Sequence, residues 1–342
     1  MSRQIACAGL SLFAGLLIGF AADGKTVEEF YRGKTVAIIV GAAPGGTYDA
    51  IARLLAKTMG EHVPGRPVFV VQSMLGAGSV RAVTHLYNNA ARDGTVIGMP
   101  SRSFAIAPTF NPQLHYDAKR FNAIGSTSPE VSVAVTWHTV PVRRLEDCLT
   151  REISVGATAF SDDTGSLALM TKALTGARIR IVTGYPGGND ITAAMEKGEI
   201  DGRFGWSWGS LKSRARDWLV EKKISLILQM GLHRAPDLPD LPLIMDYAAD
   251  DSDRQALELL LGPQAFAWPV VAPPGVPAER VTALRRAFDA TMRDPVFIAD
   301  AGKLDIEVDP LTGEAMQALI ARILDFDPSV VARAQALIRP PG

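Results

Sequence analysis

The chain has 342 residues, 47% hydrophobic and 21% charged, and 35 Lys and Arg against 36 Asp and Glu leave a formal net charge of −1. That length exceeds one comfortable core and predicts two domains, and the composition is globular, not disordered. The basic residues form no long run, so the concentrated positive face that nucleic-acid binding needs is missing.

The N-terminal "MSRQIACAGLSLFAGLLIGFAADGK" opens with Arg3, continues through an apolar stretch from Ile5 to Phe20, and places small residues around Gly19-Phe20-Ala21. This order predicts a secretory signal peptide over 1–22, cleaved near Ala21, and a periplasmic location. The stretch is short for a bilayer span. Cleavage would leave Cys148 as the only cysteine, so no intramolecular disulfide is expected.

From there, strand and helix patterns alternate. "TVAIIVGA" (35–42) is a β-branched apolar run, "APGGTYDA" (43–50) a glycine-rich loop, and "YDAIARLLAKTMGEH" a helix with Ile51, Leu54, Leu55 and Met59 at helical spacing. "PVFVVQSM" reads as a strand, "GAGS" as a tight loop, "VRAVTHLYNNAA" as a helix and "GTVIGMPS" as a third strand. The pattern restarts with "EISVGAT", "SLALMTKALTGA", "RIRIVTGY" and "DITAAMEKGE", then a short strand or turn "DGRFGWS" and the strand "KISLILQMG". "APDLPDLPLIMDY" is an irregular connection. "AFAWPVVAPPGVP" runs from strand into a proline-stiffened loop, and "AERVTALRRAFDATMRDP" and "TGEAMQALIARILDFDPSVVARAQALI" read as two amphipathic helices. The alternation predicts an α/β fold with parallel strands covered on both faces.

The motifs sort by what they lack. "GAAPGGT" (41–47) has the glycine spacing of a phosphate loop, but Thr47 stands where the lysine is needed, which argues against nucleoside triphosphates. A glycine-rich turn that presents backbone N–H groups at a helix N-terminus remains. "GAGSVR" (76–81) starts like a dinucleotide fingerprint but ends on Arg81. "GWSWG" (205–209) matches the hydrolase elbow formally, but His233 is the only histidine that follows Ser207, and it follows closely. The five histidines have no metal-ligand spacing. "SDDT" (161–164) reads either as a helix cap or as a helix N-terminus facing a ligand. No cofactor is implied.

"FYRGKTVAIIVGAAPGGTYDAIARLLAKTM", "VVQSMLGAGSVRAV", "DGTVIG", "VTGYPGGNDITAAMEKGEIDG" and "WPVVAPPGVPAERVTAL" together resemble, in order, the receptors of tripartite tricarboxylate transporters, the Bug family. The resemblance spans nearly the whole chain after the signal. It implies a two-domain periplasmic binding protein of the type II-like α/β class, each domain a mainly parallel sheet flanked by helices, with a ligand cleft between them. The domains would be 23–128 plus 262–342, and 129–261. Such a receptor is not an enzyme. It binds a small solute, most often a carboxylate, by hinge closure and acts as a monomer that presents the solute to the membrane subunits of a transporter.

Carried over by motif, the first wall is Gly45, Gly46, Thr47, Tyr48 and Asp49, with Gly78, Ser79 and Ser101. The opposing wall is Thr158, Thr164, Gly165, Ser166, Gly187, Gly188, Asn189 and Asp190, with Asp201 and Trp206. The family's second-domain loop is mostly uncharged, whereas this chain carries Asp162 and Asp163 there. As helix caps they leave a carboxylate ligand unopposed; as cleft residues they repel it. Asp49 either braces the glycine-rich loop or meets an ammonium group. The alternatives are a secreted serine hydrolase using Ser207, or a receptor that signals to a membrane sensor.

Overall fold

The computed structural model describes residues 25–340. The signal-peptide reading of 1–22 lies outside the described residues. β1 (Thr35–Val40), β2 (Val68–Ser73) and β3 (Val96–Met99) pair in parallel, with α1 (Thr47–Thr58) and α2 (Val80–Asn88) in the connections. β4 (Asn122–Ser126) completes this run, and the chain then crosses to a second sheet.

The second sheet holds β5 (Ser132–Trp137), β6 (Ile153–Gly156), β7 (Ile179–Val182), β8 (Gly202–Ser207) and β9 (Ile224–Met230), in the order β7-β6-β8-β5-β9. Its helices are α3 (Asp163–Thr175), α4 (Gly188–Glu196), α5 (Trp208–Arg214) and α6 (Asp251–Leu261). The chain returns through β10 (Pro269–Ala272), then α7 (Ala278–Thr291), α8 (Pro295–Lys303), β11 (Leu311–Thr312), α9 (Gly313–Ile323) and α10 (Pro328–Leu337). The first sheet has the order β11-β4-β10-β3-β1-β2.

Two lobes result, one around each sheet. Both sheets are mixed. The strand–helix units supply the parallel pairs, and the strands on which the chain changes lobe supply antiparallel ones: β10 against β3 and β4, and β5 against β8 and β9. β-branched and aliphatic residues fill the first core, where Ile38, Val40, Ile51, Leu55 and Phe288 are buried together. A second cluster joins Phe204, Leu167, Leu257 and Ala334, so α10 packs against helices of the second lobe. Arg333 Nε donates to Asp253 Oδ1 on α6 at 2.6 Å and secures it there.

Of these elements, six fall outside those read from the sequence: β4, β5, α5, α6, α8 and β11. The last long amphipathic segment is two helices. Asp327 Oδ1 accepts the Ser329 N–H at 2.8 Å, and Pro328 occupies the first helical position, where a missing N–H costs nothing.

α8 is fastened to α1 by charge. Lys57 Nζ and Lys303 Nζ donate to the two oxygens of Asp300 at 2.5 and 2.7 Å. These bonds pull the Asp300 pKa from 3.8 to about 2. A carboxylate depressed on folding contributes stability above its ordinary pKa and loses it as pH falls toward the folded value. Thermal melts from pH 5 to pH 2 should therefore show the wild type losing stability across that window. Asp300→Asn, already weaker at pH 5, should lose less; equal pH slopes would refute the coupling.

Candidate functional site

A cavity of about 810 Å3 opens between the lobes, in the size range of small-molecule sites. Its walls are the loops that leave the carboxyl ends of β1, β2, β3, β6, β7 and β8. That is where open α/β sheets bind ligands, because helix N-termini converge there.

Five helices begin at these walls; α5 is capped by Ser207, and the other four have no side-chain cap, their N-cap residues being Gly46 for α1, Ser79 for α2, Asp162 for α3 and Gly187 for α4. Away from the cavity, α6, α8, α9 and α10 are each capped by an Asp or Thr side chain. The N–H groups of Thr47, Tyr48, Gly188 and Asn189 have no partner among the described residues. Free N–H groups at the positive end of a helix dipole are a place for an anion. Both Pro-Gly-Gly loops thus turn unpartnered N–H groups toward the cavity, one from each lobe.

The acidic pair is accounted for by the first lobe. Asp162 Oδ1 accepts from the hydroxyls of Ser101 (2.6 Å) and Ser103 (3.0 Å), and Oδ2 accepts from Thr158 Oγ1 at 2.6 Å. Asp163 pairs with Arg102, whose Nη2 also donates to Ser132 Oγ at 2.8 Å. Burial pushes the Asp163 carboxyl up, and the Arg102 charge pulls it back down. Neither side chain caps α3. Both are spent on the seam between the lobes.

Of the three arginines on the cavity wall, Arg203 and Arg214 make no ion pair among the described residues, and Arg203 lies on β8 itself. β8 carries one more residue than its partner β5 between the pairs Arg203–Val135 and Trp206–Val133. Gly205, at φ +68°, absorbs that bulge; any side chain would be strained there, and its Cβ would lie 2.8 Å from the Asp163 carbonyl oxygen. The extra residue shifts the alternation of faces, so Arg203 and Trp206 fall on one side of the strand. The guanidinium sits 4.6 Å from the Trp206 ring centre. Its Nη1 donates to the Gly188 carbonyl (3.1 Å) and to Thr192 Oγ1 (3.4 Å), and Nε is buried without a partner among the described residues. Burial lowers its pKa to about 9 against the pull of Asp162, so it stays protonated at neutral pH. Arg203 makes no ion pair among the described residues.

Of the residues expected from the sequence, Gly46, Thr47, Tyr48, Gly78, Ser79, Ser101, Thr158, Thr164, Gly187, Gly188, Asn189 and Trp206 line the cavity. Six do not. Gly45 turns at φ +79°, donates its N–H to Asp49 and gives its carbonyl to Arg214. Asp49 is buried behind the loop, its Oδ2 accepting from the Gly45 N–H and from Arg53 Nε, both at 2.9 Å. It braces the loop. Gly165 packs against the backbone of Ala159 and Phe160, and the Ser166 N–H bonds the Asp162 carbonyl at 2.8 Å. Asp190 faces solvent. Asp201 Oδ2 accepts from the N–H and hydroxyl of Ser154, both at 2.7 Å, and so ties β8 to β6.

The cavity also takes in Arg102, Arg203, Arg214, Tyr185, Trp218 and Trp268, which reading the sequence passed over. For Arg203 a signal was there: an arginine at the head of "RFGWS", a stretch with two buried aromatic residues. Ser207 Oγ donates to Glu130 Oε2 at 2.5 Å and accepts the Ser210 N–H at 3.0 Å, as the cap of α5. No histidine bonds to it among the described residues. Burial pushes the Glu130 carboxyl up, opposed by its bonds from Ser207 and Gly209 and by Arg102. Trp208 lies in the core with its indole N–H on Asp237. Among the described residues no His, Cys, Asp and Glu cluster could hold a metal, and no helix is long and apolar enough to cross a membrane.

Removing Arg102 leaves Asp163 and Ser132 without their partner. Arg102→Met should lower unfolding stability by about 3–5 kcal/mol, the cost of a buried charge left alone. Adding Asp163→Leu should restore part of it. Urea unfolding of both variants checks this, and additive losses would refute the pairing.

No family model matches the sequence. A curated protein described as "UPF0065 protein in tcbD-tcbE intergenic region", from Pseudomonas sp. (strain P51), is 23% identical over 315 residues, covering 86% of this chain and 85% of that one. The solved structure of the periplasmic binding protein BugD superposes with a TM-score of 0.70 at 20% identity, over 90% of this chain and 98% of that chain. MatC from Rhodopseudomonas palustris, solved with bound malate, gives 0.67 at 18% identity, over 90% and 99%. The chain has the fold of the periplasmic binding protein BugD and of MatC.

Proposed function

We propose that this chain is an extracytoplasmic solute receptor. It captures a small organic carboxylate in the interlobe cavity and delivers it, as a monomer, to the membrane subunits of a tripartite tricarboxylate-type transporter. The observation that carries the reading is Arg203: a cation lining the cavity with no ion pair of its own, bonded to the carbonyl of the first residue of α4. A carboxylate held there receives a charged hydrogen bond and free N–H groups from two lobes at once, which favours closure around it. The malate bound in MatC is in keeping with such a ligand. Asp162 and Asp163 are already engaged by Ser101, Ser103 and Arg102, and Glu196, which also lines the cavity, stands at the opposite end of α4 from its free N–H groups.

Thermal shift against a panel of mono-, di- and tricarboxylates tests the reading. A true ligand should raise Tm with concentration, corresponding to about 2.7 kcal/mol at a hundred times its Kd. Arg203→Gln should weaken that ligand by about tenfold or more, as loss of a charged hydrogen bond does. A panel in which no carboxylate stabilises the protein would overturn it.

A further inference from the structure

Three of the chain's five tryptophans line this one cavity, together with Tyr48 and Tyr185. Two of those rings are committed elsewhere. Tyr48 and Trp268 meet edge-on at 4.8 Å, and the Tyr48 hydroxyl donates to the Ala267 carbonyl at 3.0 Å while accepting the Arg102 N–H at 3.1 Å. On the second lobe the situation differs. Trp206 is 3% exposed and meets both Arg203, at 4.6 Å, and Trp218, at 6.1 Å and 87°. Trp218 is itself held edge-on by Trp137 at 4.7 Å, so the plane of its ring is set by protein contacts before any ligand arrives. Tyr185 lies over Gly156, where an added Cβ would come within 3.1 Å of the ring. Trp218 and Tyr185 are only partly buried and give ring surface to the cavity.

A short hydroxy acid, polar along its whole length, makes no use of such a wall. A flat ring does, because it adds one more member to an edge-to-face series. The geometry points to an aromatic carboxylate as the ligand, its acid group on Arg203 and the N-terminus of α4, its ring against Trp218 and Tyr185. This rests on the carboxylate-receptor reading and names the body of the molecule that reading leaves open.

Calorimetry on the full chain with benzoate, cinnamate, cyclohexanecarboxylate, adipate and malate tests it. The best aromatic acid should bind about threefold to tenfold tighter than cyclohexanecarboxylate, the worth of one aromatic pair, and should quench tryptophan fluorescence. Trp218→Leu should abolish that margin and leave cyclohexanecarboxylate within about twofold. Tyr185→Leu serves the same purpose if the first variant does not fold. Equal or tighter binding of cyclohexanecarboxylate, adipate or malate overturns the aromatic assignment while sparing the receptor reading, as does an equal loss for both ring types in the variants. Binding of no acid at all overturns both.

Discussion

A guanidinium that is 4% exposed must be paired where it lies, and in this protein the pairing of Arg102 reaches across the cleft. The arginine leaves the end of β3 in one lobe and meets Asp163 and Ser132 of the other. Its neighbours on either side, Ser101 and Ser103, reach the same way to Asp162. This seam sets the distance between the lobes and with it the shape of the cavity. A second set of contacts, Thr47 with Ser210 at 2.6 Å and Arg214 with the Gly45 carbonyl, joins the lobes near the first Pro-Gly-Gly loop.

The electrostatics of the site follow from what the seam consumes. Two carboxylates that would oppose an anion are taken up by hydroxyls and by Arg102, so the charges left on the cavity wall are those of Arg203, Arg214 and Glu196, together with the uncapped helix ends. The bulge at Gly205 completes the arrangement, since in a regular strand two residues three positions apart, as Arg203 and Trp206 are, would face opposite sides of β8. A charge, a dipole and an apolar wall then come together within one lobe. The other lobe contributes mainly backbone N–H groups.

How much of this could be read from the sequence depends on how local the property is. The glycine loops after β1 and β7, the helices they open and the parallel strands they follow were all legible, because turn chemistry and hydrophobic period act over a few residues. β4, β5 and α6 were not, since they belong to the crossings between lobes and break the strand–helix alternation. Asp49 and Asp201 were placed in the site by motif and are bracing residues in the structure, one bonded to its own loop and the other to Ser154. A carboxylate near a loop looks the same in sequence whether it faces a ligand or a neighbouring N–H.

The sequence by itself determined the two α/β units, their glycine-rich loops and the placement of both at helix N-termini, since each is a property of a short contiguous stretch. Only the tertiary structure decided the charge of the site. Asp163 and Arg102 lie 61 residues apart in the chain, and whether a carboxylate is free or spent depends on which distant cation the fold brings to it. Coulomb pairing is a matter of distance in space, and the order of residues along the chain does not record that distance.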